Sequence, residues 1–122
     1  IKHAKNVAGA NVLVMGATFK ENVSDIRNSK VAGVIKELQN FSLNVDVTDP
    51  YASSEELQHE YGFSLCDTLK EKYDAIILAV PHTEYKNLGE DYFISLTNEN
   101  AILADLKGIL RNKISKLKYW SL

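Results

Sequence analysis

Val12-Leu13-Val14-Met15-Gly16-Ala17-Thr18-Phe19-Lys20-Glu21-Asn22-Val23-Ser24-Asp25-Ile26-Arg27-Asn28-Ser29-Lys30 is the stretch that decides the fold. Its first four residues form an apolar run that reads as a buried strand. Beyond it, Val31, Val34, Ile35 and Leu38 recur at helical spacing. The residues between are therefore a strand-to-helix connection, roughly twice the usual length of about two to six residues. Long connections at the carboxyl ends of strands are where α/β sheets hold ligands. This one brings a lysine, an arginine and a helix amino terminus together, a combination that suits an anion.

The pattern outside this stretch alternates. Ala10–Met15 predicts a first strand and Asn28–Phe41 a helix, with Asn28 or Ser29 as its N-cap. Leu43–Thr48 predicts a second strand, with Val45 and Val47 on one face; Asp49-Pro50 ends it, since proline cannot continue a ladder. Ser53 or Ser54 caps a short helix through Glu60. Tyr61-Gly62-Phe63 reads as a short strand or turn, and Leu65–Tyr73 as a helical turn or two. Ala75–Val80 is too short for a typical helix and rich in branched residues, so it predicts a central strand. Thr83–Leu96 holds one or two short helices broken near Gly89, and Ala101–Ala104 a last strand. From Ile109 to Leu122 both a helix and an extended end remain open. Alternating strands and helices predict an α/β, Rossmann-like three-layer domain with a mainly parallel sheet. Four segments then meet at the carboxyl edge of that sheet: Gly16–Arg27, Asp49-Pro50, Pro81–Glu84 and Asp105–Gly108.

The chain has 122 residues, the length of one domain with a real core. Its apolar share of 45% and charged share of 25% are ordinary for a soluble protein. A net charge of −2 with scattered basic residues argues against nucleic acid as a partner. No apolar run approaches a membrane span, and no signal-peptide pattern opens the chain. A single cysteine, Cys66, excludes an internal disulfide and fits a reducing cytoplasm. The opening Ile1-Lys2-His3, without an initiator methionine, predicts a piece of a longer protein.

Each candidate residue carries a functional and a plain reading. Lys20 and Arg27 could compensate a diphosphate, lysine as a point charge and arginine by a two-pronged contact. They could equally be solvated loop cations, with Arg27 paired to Asp25 or Glu21. Phe19 could pack against a base or sugar, or plug the core beneath the loop. Lys107, after Asp105 at the end of the last strand, could face the same ligand from another loop or face solvent. Asp49 stands where a dinucleotide fold places a ribose-binding acid. However, Gly16-Ala17-Thr18-Phe19-Lys20-Glu21 lacks the second and third glycines of G-x-G-x-x-G, so Asp49-Pro50 reads as an Asx-type stop. His82 could be a general base, but Thr83 as an N-cap explains Pro81–Glu84 equally well. Cys66 reads as a small buried residue, and no His/Cys cluster has metal-ligand spacing.

Phe19-Lys20-Glu21-Asn22 followed by Asp25-Ile26-Arg27-Asn28-Ser29 resembles the signature of the C-terminal, UDP-sugar-binding domain of the UDP-glucose/GDP-mannose dehydrogenase family. Asp46-Val47-Thr48-Asp49-Pro50-Tyr51, Ala79–Tyr85 and Asp105-Leu106-Lys107-Gly108 match in order, over nearly the whole chain. The Lys-Glu-Asn and Arg-Asn-Ser pattern looks closest to the branch acting on UDP-N-acetylhexosamines and capsule sugars. The resemblance implies a cytoplasmic, homodimeric, NAD-dependent parent that oxidises C6 of a nucleotide sugar to a carboxylate for polysaccharide biosynthesis. NAD would be bound mainly by an N-terminal domain. The catalytic cysteine of the family lies in a glycine-rich motif absent here, so the chain alone would be inactive. By position, Phe19 and Lys20 would contact the UDP-sugar and Arg27 would reach toward the cofactor. Lys107 falls where many members have arginine, leaving a point charge for a two-pronged contact. The alternatives are a non-catalytic Rossmann-like nucleotide-binding or interaction module, and a complete small dinucleotide enzyme, which the missing fingerprint and nucleophile disfavour.

Overall fold

A computed structural model describes residues 8–70 and 72–122; the opening Ile1-Lys2-His3 lies outside them. The elements in chain order are β1 (Asn11–Met15), α1 (Lys30–Asn40), β2 (Asn44–Thr48), α2 (Ser54–Tyr61), β3 (Tyr73–Leu78), α3 (Thr83–Lys86), α4 (Glu90–Ser95), β4 (Thr97–Asp105) and β5 (Lys118–Ser121). The strands form one sheet in the order β2-β1-β3-β4-β5, with every pairing parallel. No described helix is long and apolar enough to cross a membrane.

β1 lies between β2 and β3, so both of its faces are covered. Val12 and Val14 join Val31 and Ile35 of α1 in one core. Leu13 and Met15 join Ile76, Leu78, Phe93 and Leu110 in the other. That double burial is why Val12–Met15 has no polar alternation. α1 and α2 cover the first face over β2 and β1, whereas α3, α4 and the turns after β4 cover the opposite face. The first layer stops short of the far strands. Ile102 on β4 is 46% exposed and Trp120 on β5 is 50% exposed, so among the described residues this half of the face is bare.

Several local expectations change. Ser29 occupies the N-cap position of α1, but its side chain makes no cap bond. At α2, Ser53 caps by accepting from the Glu56 N–H, and Glu55 and Glu56 complement the positive helix start. Leu65–Tyr73 is not helical where described: Cys66 N–H bonds to Val47 O along the sheet edge, and Tyr73 already belongs to β3. β4 begins at Thr97 rather than Ala101. Its register against β3 jumps from Tyr73↔Thr97 to Ala75↔Ile102, and Asn100 takes a left-handed conformation (φ 66°) within the extra residues. The tail is extended. Asn112 at φ 68° turns the chain after buried Leu110, and Ile114 and Leu117 pack on the same core without a helix.

Two contacts fix this carboxyl-terminal part. The buried Asp105 carboxylate accepts from the N–H groups of Ile109 (3.1 Å) and Leu110 (2.7 Å) and from the Tyr119 hydroxyl (2.6 Å). Glu90 accepts from the N–H groups of Ser115, Lys116 and Leu117. The Leu117 N–H, followed by those of Lys116 and Ser115, holds the Glu90 carboxyl below its usual range. A depressed carboxyl contributes stability above its unfolded value and loses it as pH falls through the folded one. Protection of the Ser115–Leu117 amides, relative to intrinsic exchange at the same pH, should therefore fall on acidification below the ordinary value near 4.5, and at neutral pH in Glu90→Ala. Protection unchanged in both cases would contradict this. Gly16 is the tightest backbone position: it has φ 102°, and an added Cβ would lie 2.6 Å from Val80 Cβ. Gly16→Ala should cost roughly 2–4 kcal/mol in denaturant unfolding, from left-handed strain plus overpacking.

Candidate functional site

The four expected segments do meet at the carboxyl edge of the sheet. Gly16 N–H bonds to Thr48 O, Ala79 N–H to Met15 O and Leu106 N–H to Leu78 O, so the chain leaves all four strands side by side. What holds the long connection above that edge is a buried acid and a buried histidine. Asp49 Oδ2 accepts from Ala17 N–H at 2.7 Å and lies 2.9 Å from His82 Nε2. Asp49 Oδ1 accepts from Tyr51 and Ala52 N–H, the Asx-type stop expected after β2. His82 Nδ1 accepts from Asn22 N–H at 2.9 Å. The Asn22 side chain then spans to α3, donating to Thr83 Oγ1 and accepting from Thr83 N–H. The N-cap position of α3 is thus His82, not Thr83. With its ring fully buried and both nitrogens engaged, His82 presents no lone pair to a ligand.

Above this platform lies a cleft of about 360 Å³, lined by Phe19, Lys20 and Lys107 among others. That volume falls within the range of about 300–1,000 Å³ typical of small-molecule sites. Three of the four expected binding residues therefore share one cavity. Phe19 is 53% exposed, a wall rather than a core plug. Lys30, in the first turn of α1, lines the same cleft and was not singled out by sequence; its position just after the N-cap was the available signal. Against Lys20, Lys30 and Lys107 stands one side-chain carboxylate, Glu21, while Val34, Val80 and Leu106 supply apolar surface. Cations with apolar walls at a helix start suit a phosphate-bearing ligand with a flat or ring-shaped body.

Arg27 is elsewhere. Its guanidinium faces Asp25, with Nε to Oδ1 and Nη2 to Oδ2 both at 3.1 Å. The Arg27 hydrogen bond holds the Asp25 carboxyl below its ordinary range, and Asp25 in turn raises the guanidinium. The pair borders a second cleft of about 480 Å³ whose other lining groups include Glu55, Glu56 and Glu60. The larger space thus carries the wrong sign for a diphosphate. Cys66 is partly buried, and burial pushes its thiol up, the opposite of an activated nucleophile. Among the described residues no group of His, Cys, Asp and Glu could hold a metal ion.

Comparison with known proteins adds to this geometry. Residues 13–112 match the model of the UDP-glucose/GDP-mannose dehydrogenase family, UDP binding domain. The chain is 44% identical over 119 residues to a UDP-N-acetyl-D-glucosamine 6-dehydrogenase of Pseudomonas aeruginosa, covering 97% of this chain and 28% of that protein. It is 42% identical over 111 residues to the enzyme of the same name from Salmonella typhi, covering 90% and 26%. The chain thus spans about a quarter of the length of these relatives. A solved UDP-D-ManNAc dehydrogenase from Pyrococcus horikoshii shares the fold with a TM-score of 0.75 at 22% identity, over 93% of this chain and 25% of that one.

Because the Arg27–Asp25 pair is exposed, with Arg27's side chain at 82%, it adds little to stability. Arg27→Ala should shift the melting temperature by no more than about 2 °C. A larger drop in a thermal scan would show that the pair shapes the long connection.

Proposed function

The chain belongs to the UDP-glucose/GDP-mannose dehydrogenase family, and we propose that it is the C-terminal, UDP-sugar-holding domain of an NAD-dependent nucleotide-sugar 6-dehydrogenase. The observation that carries this reading is the gathering of Phe19, Lys20 and Lys107 around one cleft at the carboxyl edge of the sheet. Lys20 and Lys107 meet the diphosphate oxygens as point charges, with Lys30 adding a third. The Phe19 ring and the Val34–Leu106 surface take the nucleoside. The substrate class is a UDP-N-acetylhexosamine, a choice supported by the names and identities of the relatives above.

In the complete enzyme, two NAD molecules in turn would each accept one hydride, and one water would supply the second oxygen, as the C6 alcohol becomes a carboxylate. The described residues would supply binding, orientation and exclusion of water, and Cys66 is not poised as a nucleophile. The cofactor would be bound mainly by an N-terminal domain outside this chain. Arg27, the residue expected to face it, is bonded to Asp25 in a cleft with three further carboxylates. Its reach toward NAD belongs to the complete enzyme, a cytoplasmic, homodimeric parent as the resemblance implies.

Isothermal titration of the chain with UDP tests the reading. Binding should weaken with salt and fall about tenfold in Lys20→Ala, the scale of one charge-assisted contact. Lys107→Ala should cost a similar factor, since it too contributes one point charge. In the complete enzyme Lys20→Ala should raise KM for the UDP-sugar. A chain indifferent to UDP would favour a non-catalytic module instead.

A further inference from the structure

We propose that His82 is a positioning residue of the UDP-sugar site, acting with Asp49 through the backbone of the connection that carries Phe19 and Lys20. This rests on the reading of the cleft given above and adds the means by which its side chains are held. The hydrogen-bond partners fix the chemistry of the ring. The Asn22 backbone N–H can only donate, so His82 Nδ1, 2.9 Å away, must offer its lone pair. The proton then sits on Nε2 and donates to Asp49 Oδ2 at 2.9 Å. The Tyr51 and Tyr85 rings, with centroids 4.8 Å and 5.4 Å from the imidazole, pack around it, and the residue has no exposed surface.

The anchors fall on either side of the two binding residues. Ala17 N–H is held by Asp49, Thr18 Oγ1 donates to the Lys20 carbonyl at 2.8 Å, and Asn22 N–H is held by His82. Phe19 N–H closes the bend onto Asp25 O at 2.7 Å. The side chains of Phe19, Lys20 and Glu21, between these anchors, project into the cleft. An apolar residue at position 82 could fill the space, but it could not accept from Asn22 and donate to Asp49 at once. The pair thus specifies the path of the connection, and a path fixed before the ligand arrives spares the ordering cost of binding.

Two substitutions separate the halves of this device. In His82→Asn the amide oxygen falls near the Nδ1 position, so Asn22 keeps its acceptor while Asp49 loses a donor. In His82→Gln the terminal amide reaches toward Asp49, and Asn22 N–H loses its acceptor. Both should lower the melting temperature similarly. UDP affinity, read by titration of the chain, should stay within about threefold of the unmodified chain in His82→Asn and fall about tenfold in His82→Gln. Amide relaxation should show residues 19–22 loosened only in His82→Gln. The imidazole nitrogen shifts of the unmodified chain should report the Nε2–H tautomer.

Affinity that follows melting temperature in both variants, an ordered 19–22 segment in His82→Gln, or an Nδ1–H ring would overturn the inference while leaving the cleft reading intact. If the segment loosens as expected but no chain binds UDP, the positioning role stands and the cleft assignment falls. Should a position-82 variant not fold, the tautomer and Thr18→Val decide. The latter should loosen the segment at Lys20 and weaken UDP about threefold, and an unchanged segment would overturn the inference.

Discussion

Burying a carboxylate is tolerable only when donors replace the water it gives up. Asp49 is fully inside the protein, and three backbone N–H groups and one imidazole surround it. Those donors come from the end of β2, from the connection after β1 and from the segment after β3. One charge therefore joins three parts of the chain that are remote in sequence, and without it their donors would be stranded in a dry place. Gly16 makes the assembly possible by letting the backbone of the connection pass against Val80. One wall of the cleft follows from this knot, because Phe19, Lys20 and Glu21 extend from backbone between its anchors at Ala17 and Asn22.

The parts of the fold that could be read from sequence are those where burial leaves a periodic mark. Val12–Met15 and Ile76–Leu78 are central and apolar on both faces, and α1 shows its stripe through Val31, Ile35 and Leu38. Thr97-Asn98-Glu99-Asn100 carries no such mark; it is strand because its partner Tyr73 and a bulge at Asn100 make it so. Leu65 and Leu69 have helical spacing, yet the local backbone bonds to β2 instead. At the site, Phe19, Lys20 and Lys107 converge because each follows a parallel strand directly, which topology alone predicts. Arg27 shares a stretch with Lys20 and still ends elsewhere, captured by a neighbour two residues away. The partnership of Asp49 with His82 left no sequence signal at all, since each residue had a sufficient local explanation of its own.

The chemistry that the chain carries is lopsided. It presents cations, a ring and an apolar wall around one cleft, with a thiol that burial pushes up. That is the inventory of a part that grips and orients. The relatives it matches are longer, and this chain spans about a quarter of their length.

The bare half of the sheet has a practical corollary. Trp120, half open to water on β5, is the sole tryptophan of the sequence. Indole fluorescence from this chain consequently has a single origin, and its colour and quenching register whether anything lies over those outer strands, with no label required.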